Sequence, residues 1–103
     1  MSKDSDEGTQ TVSRARAKTK RPRNYKVILL NDDYTTMDFV VSVLESVFQR
    51  SPAEAVAIML SVHRQGRGIA GIYPKQIAET KAELARNRAQ QRGFPLQCSI
   101  EED

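Results

Sequence analysis

The sequence predicts an α+β domain in which a small three-stranded antiparallel sheet packs against three helices, in the order β-α-α-β-α-β. Three observations point there. Short apolar or alternating runs lie near residues 25–30, 69–73 and 96–100; the stretches between them carry apolar residues at helical spacing; and threonine, serine, glycine or proline marks each junction.

The first 24 of the 103 residues stand apart. Beyond Met1, Val12 is their only sizeable apolar side chain. Such a segment cannot bury enough surface to offset its ordering entropy, so residues 1–24 read as a disordered tail and residues 25–103 as the folded domain. Tyr25 to Leu30 then form a strand covered on much of both faces. Thr35-x-x-Asp38 fits a capping box, and Phe39, Val40, Val43, Leu44, Val47 and Phe48 give the following helix a core-facing stripe. A second helix starts at Ser51, with Pro52 at its first position and Glu54 as reciprocal partner, and runs to about Gln65, burying Ala55, Val56, Ile58, Met59 and Val62. Gly66 is placed to end it. Ile69 to Tyr73 form a short strand, and Pro74 opens a third helix from about Lys75 to Gln90. Gly93 and Pro95 break the chain before a last strand from Leu96 to Ile100.

Charge is unevenly shared. Residues 1–24 hold seven Lys/Arg against three Asp/Glu, whereas residues 25–103 hold nine against ten. The basic character therefore belongs to the tail, where it serves as a solubilising tether or as an arm for nucleic acid or an anionic membrane. A nearly neutral domain without a basic aromatic platform argues against nucleic acid. No run approaches the ~18 apolar residues of a membrane span, and no apolar signal-peptide core precedes the domain. One cysteine, Cys98, rules out an intrachain disulfide and suits a reducing compartment, so the expectation is a cytoplasmic protein with no membrane partner.

Residues 66–71 match G-x-G-x-x-G by letter, but here a helix precedes the glycines and a strand follows. No helix N-terminus faces a phosphate, so the stretch reads as a helix cap and strand start. One histidine and one cysteine do not make a structural zinc site, and neither metal nor other cofactor is expected. A Cys98–His63 nucleophilic pair would make a small enzyme, but Cys98 lies in an alternating strand as an inert core thiol would. The stretch from Asn31 to Met37 is more informative. It sets an amide and two carboxylates at a strand-to-helix junction beside large apolar residues. His63 follows Met59 by four and Val56 by seven, on one face of the second helix. Asn31 and Asp33 alone are ordinary turn formers, and Met37 and Met59 ordinary core filler. Together with His63 they suggest a pocket with acceptors at its rim and aliphatic and thioether groups below.

Tyr25-Lys26-Val27-Ile28-Leu29-Leu30-Asn31-Asp32-Asp33-Tyr34-Thr35, then Met37, Phe39-Val40, Val62-His63, Ala78-Glu79-Thr80-Lys81 and Pro95-Leu96, in that order and spacing, closely resemble the ClpS family. That family consists of adaptors that recognise N-degrons for the ClpA–ClpP protease. The resemblance covers the domain from about residue 25 onward and implies a binding module, not an enzyme, with no catalytic residues. It implies that substrates beginning with Leu, Phe, Tyr or Trp are held by their first residue and passed to the N-terminal domain of ClpA.

Carried across by position, Asn31 and His63 would accept from the ligand's α-ammonium, and Asp33 would act through a water. Leu30, Thr35, Met37, Val40, Met59, Val62 and Leu96 would line the side-chain pocket, with Met37 at its mouth as a gate against β-branched residues. Glu79 and Lys81 would dock on ClpA. Gln76 stands where some relatives carry an acid, and Thr36 where proline is frequent, which should only soften the helix entry.

The chemistry agrees with that reading. An α-ammonium has three donors, matched by an imidazole nitrogen, an amide oxygen and a carboxylate-held water. An internal residue would leave those acceptors unpaired. Burying one large side chain contributes about 1.5–3 kcal/mol, short of the ~8 kcal/mol of micromolar binding, so both halves are required. Because imidazoles ordinarily titrate near pH ~6.5, and a protonated ring can no longer accept, binding should weaken below that pH.

Overall fold

The computed structural model describes residues 23–103. The tail expected over residues 1–24 therefore lies outside the described residues, except for its last two. Those two already belong to the fold: Arg23 pairs with Glu102 at 2.7 Å, and Asn24 opens the first strand.

The elements are β1 (Asn24–Leu30), α1 (Met37–Ser46), α2 (Pro52–Gln65), β2 (Arg67–Pro74), α3 (Lys75–Gln91) and β3 (Gln97–Glu102), in the order the sequence predicts. β1 is central in an open antiparallel sheet ordered β2-β1-β3. On β1, Val27 and Leu29 point into the core shared with the helices. Ile28 points to the other face yet is also fully buried. The register explains this: Arg67 of β2 and Glu101 of β3 pair at 3.2 Å across the neighbouring positions and roof Ile28. Both faces of β1 are covered, as its unbroken apolar run requires.

The register of β1 and β2 shifts between Val27 and Ile28, leaving Ala70 as the extra residue of a bulge. Its carbonyl would lack a partner, but Arg50 Nε donates to it at 2.8 Å. α2 begins as predicted, with Ser51 accepting from the Glu54 amide and Glu54 accepting from the Ser51 amide. It ends at Gly66, whose φ of 89° is the left-handed conformation glycine adopts without steric cost.

Three expectations need correction. Thr35 does not cap α1; Thr36 does, accepting from the Phe39 amide at 3.1 Å, and no capping box forms because the third helical residue is Phe39. Thr36 is thus an active cap and not a softer substitute for proline. Val47 and Phe48 are buried as expected but lie beyond the end of α1, which stops at Ser46. Val56 is exposed, because α2 turns Ala55, Ile58, Met59 and Val62 inward and leaves Val56 at the side of that stripe.

Candidate functional site

The site assembles where β1 stops. The Asn31 amide donates to the Gly66 carbonyl at 3.0 Å, stapling the residue after β1 to the C-cap of α2. His63 lies three residues before Gly66, so this bond brings two residues 32 positions apart to one rim.

Beyond Asn31 the chain must turn sharply to enter α1, and Asp32 makes the turn. One of its carboxylate oxygens, Oδ1, accepts from the amides of Tyr34 at 2.8 Å and Thr35 at 2.7 Å, while Oδ2 accepts from the Thr35 hydroxyl at 2.7 Å. Burial pushes the Asp32 carboxyl upward, but these three hydrogen bonds outweigh it and hold the group below the usual carboxylate range. Thr35 is held in the turn through its amide and its hydroxyl, and the cap of α1 is made one residue later, by Thr36.

The entry of α1 is then fixed from behind. Phe39 packs its ring on Phe94, with centroids 5.0 Å apart, and the Arg92 guanidinium lies over both rings at 5.6 and 5.9 Å. This clamp ties the start of α1 to the end of α3 and sets the direction in which Met37 and Val40 face.

The result is a concavity of about 380 Å³. Its rim is the run from Asn31 to Thr36 together with His63, and its wall is Met37, Val40, Met59 and Val62. Val40 and Val62 are buried and Met59 is half-buried, while Met37 is exposed and lies at the mouth. Asn31, Asp33 and His63 are exposed. A polar rim carrying two carboxylates thus surrounds an aliphatic and thioether floor, suited to a cation attached to an apolar side chain.

Two residues expected in the pocket are not among those that line this concavity. Leu30 is half-buried as the last residue of β1, paired with Arg67 and Gln97, and falls short of the concavity. Leu96 is buried in the core and borders a separate depression of about 390 Å³ with Arg86, Gln90 and Phe94. Asp32, to which no role was assigned from sequence, and Thr36, read there only as a softer helix entry, prove structural to the turn. An Asp followed two and three residues later by free amides, with a threonine at the third, was the signal available for Asp32.

Of the docking candidates, Glu79 is exposed on the outer side of α3, beside a depression of about 620 Å³ that also involves Ile77, Thr80 and Leu84. Lys81 borders the same depression, but its ammonium is engaged inside the fold. It donates to the Val47 carbonyl at 2.7 Å and to Gln49 Oε1 at 2.8 Å, and lies over the Tyr73 ring at 5.3 Å. A cation at the C-terminal end of α1 meets the negative end of that helix, and Gln49, with a φ of 52°, is the residue it steadies.

The Cys98 thiol is half-buried, and burial pushes it up to about 11 against a weaker opposing effect from Arg86. It is therefore protonated at neutral pH and a poor nucleophile. The residues 66–71 keep the helix-glycine-strand order that disqualifies them as a dinucleotide site. Among the described residues no helix is long and apolar enough to cross a membrane.

A family model described as "ATP-dependent Clp protease adaptor protein ClpS" matches residues 20–99. The chain belongs to the ClpS family. Similar proteins include an ATP-dependent Clp protease adapter protein ClpS of Desulfatibacillum aliphaticivorans, 58% identical over 82% of this chain and 81% of that one. Another, from Herminiimonas arsenicoxydans, is 53% identical over 94% of each chain. The solved structure of Agrobacterium tumefaciens ClpS2 bound to L-phenylalaninamide superposes with a TM-score of 0.77 at 42% identity, covering 81% of this chain and all of that one. ClpS proteins are adaptors of the Clp protease, so this chain is, by its family, an adaptor in proteolysis.

Proposed function

We propose that this ClpS-family protein binds polypeptides by an N-terminal Leu, Phe, Tyr or Trp and delivers them to the ClpA unfoldase for degradation by ClpP in the cytoplasm. One observation carries the proposal: a single concavity places Asn31, Asp33 and His63 at the rim of an apolar floor made by Met37, Val40, Met59 and Val62. The similar ClpS2 was solved with L-phenylalaninamide, a molecule with a free α-amino group, a benzyl side chain and an amide where a peptide would continue. Those are the two halves that the rim and floor are suited to hold.

The Asn31 amide oxygen and a His63 ring nitrogen accept from the α-ammonium, and Asp33 acts through a water and favours the cation by its charge. Met37, exposed at the mouth, screens against β-branched side chains. The ClpA N-terminal domain docks on the outer face of α3, where Glu79 offers a carboxylate. Lys81, held by Val47 and Gln49, shapes that surface and is not a freely swinging cation there.

The deciding experiment is a titration with a fluorescent peptide beginning with Phe, beside the same peptide N-acetylated. Binding of the free amine alone, lost in Asn31→Ala and His63→Ala, is the expected result. Equal binding of both forms would reduce the site to a hydrophobic groove indifferent to the terminus.

A further inference from the structure

The turn that carries the site also fixes the position of one hydrogen atom. Asp32 Oδ2 and Thr35 Oγ1 are 2.7 Å apart, the distance of a charge-assisted O–H···O bond. Asp32 also receives two amide hydrogens, and its carboxyl is held below the usual range, so it is ionised at neutral pH and has no proton to give. The shared hydrogen therefore belongs to threonine. With that hydrogen committed to Asp32, Thr35 Oγ1 has only lone pairs left to offer, and donation to a carboxylate makes the oxygen a stronger acceptor.

Thr35 lines the concavity on its polar rim, beside an aliphatic and thioether floor. Such a floor accepts a benzyl or isobutyl group readily but penalises a ring that brings a donor without a partner. A single oriented acceptor removes that penalty. We propose that Asp32 makes Thr35 an acceptor-only group in the side-chain pocket, and that this raises affinity for first residues whose ring carries a donor, the phenol of tyrosine or the indole N–H of tryptophan. The inference rests on the terminal-residue reading and adds a specificity determinant to it. Thr35 touches the bound side chain; Asp32 acts through Thr35 and is a positioning residue.

The test uses four peptides that differ only in a first residue of Phe, Leu, Tyr or Trp. They are titrated against the full-length wild type, Thr35→Val, Thr35→Ser and Asp32→Asn. Thr35→Val keeps the shape and removes the hydroxyl, so affinity for the Tyr or the Trp peptide should fall about 3- to 10-fold, the worth of one hydrogen bond, while Phe and Leu change by less than about 2-fold. Which of the two peptides falls identifies the ring donor that reaches the oxygen. Thr35→Ser should restore the wild-type ranking.

In Asp32→Asn the amide can donate to Thr35 Oγ1 and turn the hydroxyl hydrogen outward. The same selective loss should then appear on top of a uniform loss from the missing charge. A single common factor for all four peptides in both Thr35→Val and Asp32→Asn would overturn the proposal. Should Asp32→Asn fail to fold, the Thr35→Val and Thr35→Ser pair decides alone. A wild type that ignores N-acetylation, or binds none of the four peptides, would remove the terminal-residue reading itself, and that outcome is visible before any variant is measured.

Discussion

Helices α1 and α3 meet the same core by opposite means. α1 inserts Phe39, Val40, Val43 and Leu44, whereas α3 buries only Ala78, Ala82, Ala85 and Ala89. Side-chain size at a contact sets how closely two backbones approach. The alanine stripe lets α3 lie flush on all three strands, and the larger apolar residues Ile77 and Leu84 are left facing outward. The bulky stripe makes α1 stand off, packed on α2, and a concavity opens at its N-terminal edge beside β1. One helix contributes an outer surface and the other makes room for a pocket. The difference is visible in which residues each helix hides.

That contrast can be broken at three points. The largest effect should come from Leu44→Ala, which empties a fully buried position in the bulky interface and should cost about 2–5 kcal/mol in urea unfolding. A loss well below that would mean α1 collapses onto the core and is not held off by its own side chains. Next comes Ala82→Leu, which forces volume into the flush interface. Destabilisation of about 1–3 kcal/mol is expected, and a neutral result would show that α3 has slack beneath it.

The smallest effect sharpens the pocket side and is read by pH. Asp32 has its pKa depressed by folding, so its stabilisation of the turn is present above the ordinary aspartate value near ~3.9 and is lost only as pH falls through the lower folded value. Between pH 7 and 5 the turn should therefore stay intact. The near-ultraviolet spectrum should hold from pH 7 to pH 5 and change only as pH falls below the ordinary aspartate value. A spectral change already complete at pH 5 would mean that Asp32 is not what holds the turn.

Much of this fold was legible because its signals are local. Ser51, Pro52, Glu54 and Gly66 mark both ends of α2 within four residues of each end, and the structure uses all of them. The start of α1 was misread because Thr35 and Thr36 are equally good caps by type. In the structure Asp32 holds the first in the turn, and the second makes the cap. Val56 was misplaced for a related reason: periodicity gives the direction of a stripe but not its width, which depends on what lies opposite. Leu30 and Leu96 were assigned to the pocket by resemblance alone, and nothing in their spacing shows where β1 ends relative to the concavity. Lys81 reads as a surface charge until α3 is docked and the Val47 carbonyl is found beneath it. The rim residues could be named from sequence because they are polar groups set against an apolar run. The bond from Asn31 to Gly66 that joins them could not be, since either partner alone is only a backbone atom.

Gly68 joins the two halves of this account. It lies in the glycine-rich stretch whose letters suggest a nucleotide and whose setting denies one. A Cβ at this position would sit 2.8 Å from Val62 Cγ2 and 3.1 Å from the Ile58 carbonyl oxygen. Val62 is also part of the wall of the concavity, and His63 is its neighbour in sequence. The depth of the recess is therefore governed partly from behind, by an atom that is missing from a residue outside its lining. Selection for a roomier or tighter recess can act there without altering any contacting group.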